Sequence, residues 1–226
     1  MPDKLENEKK LAATEAVKYI KDGMTVGLGT GSTAVYAVGA IGELVKNGLQ
    51  IKAIPTSEQT KQLAASLNIP LVDINAVNAI DITIDGADEF TTNLELIKGG
   101  GGALLREKVV ASLTKENIII ADSSKQVQQL GKFKLPLEVI PFASHYVITR
   151  LKLLGGDGSV RQANKKPCFT DQGNLIIDAD FGLISDPKAL AAKLDQITGI
   201  VEHGLFIGFA HKIIMAKNGR TFVFSA

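Results

Sequence analysis

Short apolar runs alternate with helical patterns over the first 131 residues, and this alternation constrains the fold more than any other feature of the sequence. The runs are nearly continuously apolar, which is typical of strands that are buried on both faces. Strands of this kind, separated by helices, predict an α/β fold with a parallel sheet covered on both sides. The predicted strands are Met24–Leu28, Ile51–Ile54, Leu71–Val72, Ile80–Ile84 and the run NIIIAD at 117–122. The predicted helices cover about Leu5–Lys21, Ser32–Lys46, Ser57–Leu67 and Ala103–Leu113, with Ser57 as a candidate N-cap.

The pattern changes after Gly131, where KFKLPLEVIP opens a second series of elements. The order of strands and helices is βαββαβ, which is the signature of a smaller α+β, ferredoxin-like domain. The segment after Leu205 predicts a terminal hairpin that turns at Asn218-Gly219. We therefore expect one domain from residues 1–131 together with 205–226, and a second from residues 132–204. The elements predicted in the second domain are strands at Leu137–Ile140, Ser159–Gln162, Asn174–Asp178 and Ile200–Glu202, and helices at Ala143–Leu154 and Pro187–Ile197.

The composition excludes several classes of protein. The net charge is +1, the basic and acidic residues are interspersed, and tryptophan is absent. This composition does not indicate a nucleic-acid-binding surface. No apolar run reaches about 18 residues, so we expect no membrane span. The start, MPDKLENEKK, has no apolar core of a signal peptide, and the single Cys168 cannot form an internal disulfide. These features predict a cytoplasmic enzyme.

A glycine-rich turn, GLGTGSTA, follows the first predicted strand and opens a helix. Backbone N–H groups and the helix dipole at such a turn attract an anion, and the hydroxyls of Thr30, Ser32 and Thr33 add donors around Gly31. The turn also matches the dinucleotide fingerprint GxGxxA, but no acidic residue stands at the tip of the second strand to hold a ribose. It therefore predicts a phosphate or small-sugar site, or else only a tight turn between strand and helix.

An acidic turn, Asp85-Gly86-Ala87-Asp88-Glu89, follows the Ile80–Ile84 strand. Ligands of open α/β sheets bind beyond the carboxyl ends of the strands, where this turn lies. The two aspartates can serve acid/base steps, hold sugar hydroxyls or bind Mg²⁺. A structural Asx turn is the alternative.

Next along the chain, Lys98 opens a run of four glycines that leads into a helix carrying Glu107. Gly99, Gly100 and Gly101 allow the backbone to approach a ligand closely. An ammonium here can stabilise an oxyanion that develops on a carbonyl oxygen. By itself, the segment Arg106–Lys108 would indicate a solvated helix face.

Lys125 closes the run NIIIADSSK and should lie on the same rim, either as a phosphate ligand or as an ordinary surface lysine. The three histidines are scattered, without the spacing of a zinc site, and no GxSxG elbow is present. The sequence therefore predicts neither a metal centre nor a serine hydrolase.

Taken together, the motifs resemble the type A ribose-5-phosphate isomerase family. The resemblance rests on GLGTGSTA, IDGADE, IKGGGGALLREK and IADSSKQV…LGKFKLPLEVIP, and continues through TDQGNLIID and GIVEHGLF over nearly the whole chain. It implies a Rossmann-like catalytic domain, a ferredoxin-like lid or oligomerisation domain, and a homodimer that can pair into a tetramer. It also implies interconversion of D-ribose 5-phosphate and D-ribulose 5-phosphate in the pentose phosphate pathway, without a cofactor.

The resemblance also implies roles for individual residues. Glu107 in LLREK corresponds to the base that moves the proton, Lys98 faces the developing oxyanion, and Asp85 assists ring opening. Asp88 orients sugar hydroxyls. The other substrate contacts implied are Thr30, Gly31, Ser32, Thr33, Gly86, Ala87, Gly99, Gly100, Gly101 and Lys125.

Two other function classes fit the architecture. An amino-sugar-phosphate deaminase or CoA transferase has a similar layout, but the deaminase needs a histidine in the first domain, and all three histidines follow Gly131. A sugar-phosphate sensor would normally be joined to a helix-turn-helix, whereas only one helix is predicted before the first strand. The Asp, Lys and Glu set favours catalysis.

Overall fold

The computed structural model describes residues 2–225. Within these residues the helices are α1 (Pro2–Ala16), α2 (Ala34–Lys46), α3 (Glu58–Ser66), α4 (Leu104–Ser112), α5 (Ser144–Leu153) and α6 (Pro187–Leu194). The strands of the first part of the chain are β1 (Thr25–Leu28), β2 (Lys52–Pro55), β3 (Ile80–Gly86), β4 (Glu89–Phe90), β5 (Leu96–Ile97) and β6 (Thr114–Asp122). The remaining strands are β7 (Leu135–Val139), β8 (Asp157–Val160), β9 (Gln162–Ala163), β10 (Lys166–Pro167), β11 (Leu175–Asp180), β12 (Ile200–His203), β13 (Leu205–Phe206), β14 (Lys212–Lys217) and β15 (Arg220–Ser225).

A six-stranded sheet in the order β15-β14-β6-β3-β1-β2 forms the larger core. The strands from β14 to β2 are parallel, and β15 returns antiparallel as an edge strand. Residues such as Ile118, Ile120 and Ile214 are fully buried, and each contributes about 1.5–3 kcal/mol to the free energy of unfolding. The predicted parallel sheet is confirmed.

The order of the strands places the site. The chain moves from β1 to β2 on one side and then crosses to β3 on the other, so the strand order reverses between β1 and β3. Their carboxyl ends are neighbours, with Leu28 paired to Ile84. Open α/β sheets bind ligands at such a switch point. The glycine-rich turn after β1 and the acidic turn at the end of β3 therefore lie side by side.

A second sheet, in the order β12-β7-β11-β8, is antiparallel throughout and carries α5 and α6. Its elements follow one another as βαββαβ, apart from the small β9–β10 hairpin between β8 and β11. This confirms the predicted ferredoxin-like α+β unit. A separate apolar cluster, which includes Leu137, Val147 and Ile177, fills its interior.

Several local predictions have definite outcomes. Ser57 caps α3, because its side chain accepts a hydrogen bond from the Thr60 N–H. The terminal hairpin is confirmed, and Asn218 and Gly219 at its turn have φ values of 51° and 76°, as a type I′ turn requires. The Leu71–Val72 strand is wrong: this segment makes only one isolated bridge, from Leu71 to Ala53, because the chain turns at Asp73 into a 3₁₀ helix at Ile74–Ala76.

The helices of residues 2–225 include none that is both long and apolar enough to cross a bilayer.

Candidate active site

A small cavity lies at the carboxyl ends of β1 and β3, and it brings together four segments that are far apart in the sequence. It is lined by Thr30, Gly31, Ser32, Thr33, Gly86, Ala87, Asp88, Lys98, Gly99, Gly100, Gly101, Glu107 and Lys125. Every residue of this lining belongs to the set predicted from the sequence. Asp85 is the one predicted residue that does not reach the lining, because its carboxylate lies behind Lys98.

Three charged side chains meet beside the cavity, and each is almost completely buried. The Lys98 Nζ atom lies 3.0 Å from Asp85 Oδ2 and 3.4 Å from Glu107 Oε2. The same ammonium donates a hydrogen bond to the Gly86 carbonyl oxygen. Lys98 thus places a positive charge between two carboxylates, in a region from which most water is excluded.

Glu107 is held on the first turn of α4, where its side chain is 4% exposed. Its Oε2 atom makes no hydrogen bond within residues 2–225, so the contact with Lys98 is an electrostatic one. Burial raises the pKa of Glu107 to about 8; Lys98 opposes this shift, while Asp85 and Asp88 add to it. A carboxylate with this pKa is a stronger base than an ordinary glutamate and is poised near neutral pH for proton transfer.

Lys98 stays charged despite its burial. Burial by itself would lower the pKa of Lys98, but Asp85 and Glu107 outweigh that effect, and the pKa lies above its ordinary value. The ammonium is therefore available to stabilise negative charge on a ligand.

Asp85 is fixed by the turn that follows β1. Its Oδ1 atom accepts hydrogen bonds from the Thr30 N–H at 3.1 Å and the Gly86 N–H at 2.7 Å, which leaves Oδ2 for Lys98. The two turns touch so closely that a Cβ atom at Gly29 would lie 2.2 Å from Asp85 Oδ1. Gly29 was not among the predicted site residues, although it stands within the GLGTGSTA motif.

Asp88 faces the cavity and organises the glycine loop. Its Oδ2 atom accepts a hydrogen bond from the Gly100 N–H at 2.7 Å. Gly99 and Gly102 have φ values of 104° and 78°, which explains why this loop needs glycine. A Cβ atom at Gly100 would come within 2.4 Å of the Asp88 carboxylate.

Thr30 has a different environment from the one expected. Its hydroxyl points into a buried cluster with the hydroxyls of Thr56, Ser57 and Thr60, at 2.7, 2.9 and 3.1 Å. The side chain thus ties the turn to the end of β2 and the start of α3. Ser32 and Thr33 remain as the hydroxyls of this turn at the cavity.

Lys125 lies on the short 3₁₀ helix after β6 and lines the same cavity. Its loop is held by Asp122, which accepts from the Ser124 N–H, and by the buried Glu8 of α1, which accepts from the Ser123 N–H at 3.0 Å. Glu8 carries no local sequence signal for this role, because its partner is 115 residues away.

The neighbours of Glu107 on α4 are not a solvated face. Lys108 is buried, with Nζ 2.6 Å from Glu202 Oε1, and it donates to the His203 carbonyl oxygen at 2.7 Å. Arg106 forms an ion pair with Glu58 at 2.9 Å. The solvated face that Arg106–Lys108 would indicate by itself is therefore absent at Glu107 and Lys108, and Lys108 packs against β12 of the second sheet. Arg106 remains partly exposed.

The part of the chain described by the structure contains no group of three His, Cys, Asp or Glu side chains arranged to hold a metal ion. None of the three histidines lines the cavity. The cationic side chains that line this cavity are those of Lys98 and Lys125.

Comparison with known proteins shows the family to which the chain belongs. The family model described as ribose 5-phosphate isomerase A (phosphoriboisomerase A) matches residues 52–220. A ribose-5-phosphate isomerase A from Sphingopyxis alaskensis is 52% identical over 210 residues, which cover 93% of this chain and 92% of the relative.

Solved structures also superimpose closely on this chain. A D-ribose-5-phosphate isomerase in complex with phospho-erythronic acid superimposes with a TM-score of 0.95 at 40% identity, covering 98% of this chain and 99% of the other. The ribose 5-phosphate isomerase A of Methanocaldococcus jannaschii superimposes with a TM-score of 0.93, at the same identity and coverage. The chain therefore belongs to the ribose 5-phosphate isomerase A family.

Proposed function

We propose that this protein interconverts D-ribose 5-phosphate and D-ribulose 5-phosphate, a reaction of the non-oxidative pentose phosphate pathway, through an enediolate intermediate. The observation that carries the proposal is the buried pair of Glu107 and Lys98, 3.4 Å apart beside the glycine loop. An aldose–ketose isomerase needs a base to move a proton between neighbouring carbons and a cation to stabilise the oxygen that becomes negative. This pair supplies both.

In the forward direction, Glu107 takes the proton from C2 of the open-chain aldose, and the electron pair forms the enediolate. The negative charge that develops on O1 is stabilised by Lys98. Glu107 then returns its proton to C1, while the O2 hydroxyl proton moves to O1, which gives the ketose. No atom is lost or gained, so the reaction needs no redox cofactor.

The positions of the two aspartates refine the roles expected from the sequence. Asp88 lines the cavity, so we assign it the contact with sugar oxygens during ring opening. Asp85 lies behind Lys98 and acts through it, holding the ammonium at 3.0 Å.

Another part of the cavity lining suits a phosphate. Ser32 and Thr33, the N-terminal backbone of α2, and Lys125 offer hydroxyl, N–H and ammonium donors there. The phospho-erythronic acid in the related structure is an aldonic acid phosphate, which combines a phosphate with an oxygen-rich carbon end. This likeness supports a sugar phosphate as the substrate.

We propose that catalysis is independent of metal, because the Lys98 ammonium already occupies the position where a cation is needed. Full activity after exhaustive chelation is the expected result. Activity that disappears on chelation and returns with Mg²⁺ would refute this part of the proposal.

We further propose that residues 1–131 with 205–226 act as the catalytic domain, and that residues 132–204 act as a lid and oligomerisation domain. An exposed apolar surface (Ile140, Phe142 and Tyr146) at the start of α5 supports a homodimer, since Phe142 is 100% exposed. The larger assembly that we propose is a tetramer made of two such dimers. A cytoplasmic location fits a charged substrate and a single cysteine.

The test is an assay that couples ribulose 5-phosphate formation to a second reaction, with ribose 5-phosphate as substrate and arabinose 5-phosphate as the control sugar. The wild type should convert the first and not the second. Glu107→Gln should lower kcat at least about 10³-fold while KM changes only a few-fold, because the amide keeps the shape but cannot accept the proton. Near-normal turnover by Glu107→Gln would disprove the assignment of the base.

A further inference from the structure

Arg161 reaches from the second sheet to the glycine loop of the active site. It follows β8, and its backbone N–H donates to the Ile176 carbonyl oxygen at 2.7 Å. Its Nη1 atom lies 2.9 Å from the carbonyl oxygens of both Gly99 and Gly100, and donates to each of them. No catalytic or binding role for this arginine follows from the motifs, because its partners in the loop are more than sixty positions away.

Asp178 on β11 fixes the direction of this guanidinium. Arg161 Nε donates to Asp178 Oδ2 at 2.9 Å, and Nη2 donates to Oδ1 at 2.5 Å. The arginine side chain is 17% exposed and that of the aspartate 23%. The bidentate pair holds the planar fork rigidly, which leaves Nη1 aimed at the two carbonyls.

This contact sets which way the loop amides point, together with the Gly102 N–H, which also donates to the Gly99 oxygen at 3.0 Å. A trans peptide is planar, so its C=O and the next N–H point in opposite directions, and all peptides of the described chain are trans. With the Gly99 oxygen on Arg161, the Gly100 N–H must point the other way, and it does so, donating to Asp88. With the Gly100 oxygen on Arg161, the Gly101 N–H must likewise point away from the arginine.

The Gly101 N–H makes no hydrogen bond within residues 2–225, and Gly101 lines the cavity together with Lys98 and Glu107. We propose that Arg161, anchored by Asp178, is a positioning residue that turns the Gly100–Gly101 peptide so that its N–H serves as a donor to an anionic oxygen of the bound sugar phosphate. This inference rests on the proposed function for the identity of that ligand. It gives the second sheet a direct part in building the oxyanion environment.

The test compares Arg161→Met with Arg150→Met, a control at an exposed arginine on α5 of the same sheet. The measurements are kcat and KM for ribose 5-phosphate, and the affinity and stoichiometry of phospho-erythronic acid by calorimetry. Arg161→Met should lower kcat/KM about 10- to 100-fold, because a displaced donor costs up to about 100-fold, and should weaken the binding of phospho-erythronic acid in the same proportion. Arg150→Met should match the wild type in both.

The conservative variants separate positioning from simple packing. Arg161→Lys keeps a cation but not the fork, and Asp178→Asn keeps the arginine but loosens it. The kcat/KM and the affinity for phospho-erythronic acid of both variants should lie between those of the wild type and those of Arg161→Met. These two variants decide the question if Arg161→Met does not fold. A merely structural arginine would lower the Tm and the number of binding sites, and leave kcat/KM per site and the affinity for the acid unchanged.

Two failures are distinguishable. If the wild type does not isomerise ribose 5-phosphate, the proposed function is wrong, and the affinity for phospho-erythronic acid still tests Arg161. If the wild type is active and Arg161→Met has unchanged kcat/KM and affinity, only the inference about Arg161 is overturned.

Discussion

Glu107 sits on the first turn of α4 with one carboxylate oxygen 3.4 Å from Lys98. Burial raises its pKa to about 8, and the nearby carboxylates of Asp85 and Asp88 add to that effect against the pull of Lys98. A proton bound to carbon is hard to remove, so a more basic carboxylate is an advantage. The consequence is that a large fraction of Glu107 is protonated in the free enzyme at neutral pH.

The pH dependence of kcat/KM should show this protonation directly. In the proposed mechanism the active form of Glu107 is the carboxylate, so kcat/KM should rise with pH and level off above about pH 8. Asp88→Asn removes a negative charge that raises this pKa, so the rising limb should move to lower pH, whatever the height of the plateau. The measurement is kcat/KM between about pH 6 and about pH 9.5 for both proteins. A limb that stays in place or moves to higher pH in Asp88→Asn would contradict the electrostatic account.

The same carboxylate should make the free energy of unfolding fall as the pH rises. Folding raises the pKa of Glu107 from 4.5 to about 8, so the folded protein holds a proton that the unfolded chain releases. The stability linked to this proton is fully present below the unfolded pKa, and is lost as the pH rises through about 8. The side chain introduced by Glu107→Gln cannot ionise. The Tm of this variant should therefore rise relative to that of the wild type between about pH 5 and about pH 8. Glu43→Gln, at an exposed glutamate on α2, is the control and should follow the wild type; an equal gain for both variants would argue against the linkage.

At the scale of elements, the close approach of the turns that follow β1 and β3 sets the site. The turn after β1 lies so close to β3 that a Cβ atom at Gly29 would be 2.5 Å from the Asp85 Cα atom. Backbone cannot yield as a flexible side chain does, so either the turn or Asp85 must move. Because Asp85 holds Lys98, a small shift here is transmitted to the Lys98 ammonium beside the cavity.

Two identical substitutions test this point. Gly29→Ala should lower kcat/KM at least about 10-fold, through displacement of Asp85 and Lys98. It should also lower the free energy of unfolding by about 1–3 kcal/mol, through overpacking. Gly39→Ala makes the same change inside α2, where nothing lies within 4 Å of the new methyl group, and should stabilise the helix by about 0.5–1 kcal/mol. Urea titrations measure the free energy of unfolding, and the coupled assay measures kcat/KM. If Gly29→Ala changes neither, the turns after β1 and β3 do not constrain each other.

The elements that sequence patterns predicted correctly are those with their own periodicity or turn chemistry. Buried strands such as β6, the Ser57 cap and the Asn218-Gly219 hairpin carry local signals. The two-residue strands β4, β5 and β13 form a small separate sheet that no period can reveal. Likewise the site residues within motifs were predicted, whereas Arg161 and Glu8 contribute through partners far away in the sequence, which a local pattern cannot indicate.

At the scale of the whole molecule, the site lies where the two sheets meet. The Lys98 N–H donates to the Gly204 carbonyl oxygen at 2.9 Å, and a Cβ atom at Gly204 would lie 2.3 Å from the Lys98 oxygen. Lys108 reaches Glu202 of β12, and the buried Glu89 accepts N–H groups from Gly131 and Phe133 where the chain enters the second sheet. The second sheet therefore takes part in holding Lys98 and the helix of Glu107, so a lid function requires motion elsewhere than at these contacts.

Assembly is the last property that the structure makes testable. The exposed apolar surface contains a Phe142 side chain that is 100% exposed and a Tyr146 that is 50% exposed, and a stable dimer typically buries about 800 Å² on each partner around such anchors. Light scattering should give the wild type about twice the chain mass of 24.0 kDa, or about four times that mass if dimers pair.

Phe142→Glu places a charge on that surface and should shift the protein towards the mass of one chain. Leu183→Glu, at a residue that is 64% exposed in the loop between β11 and α6, should leave the mass unchanged. A wild type that remains a single chain at assay concentration would refute the homo-oligomer, and an unchanged mass for Phe142→Glu would assign the interface to another face.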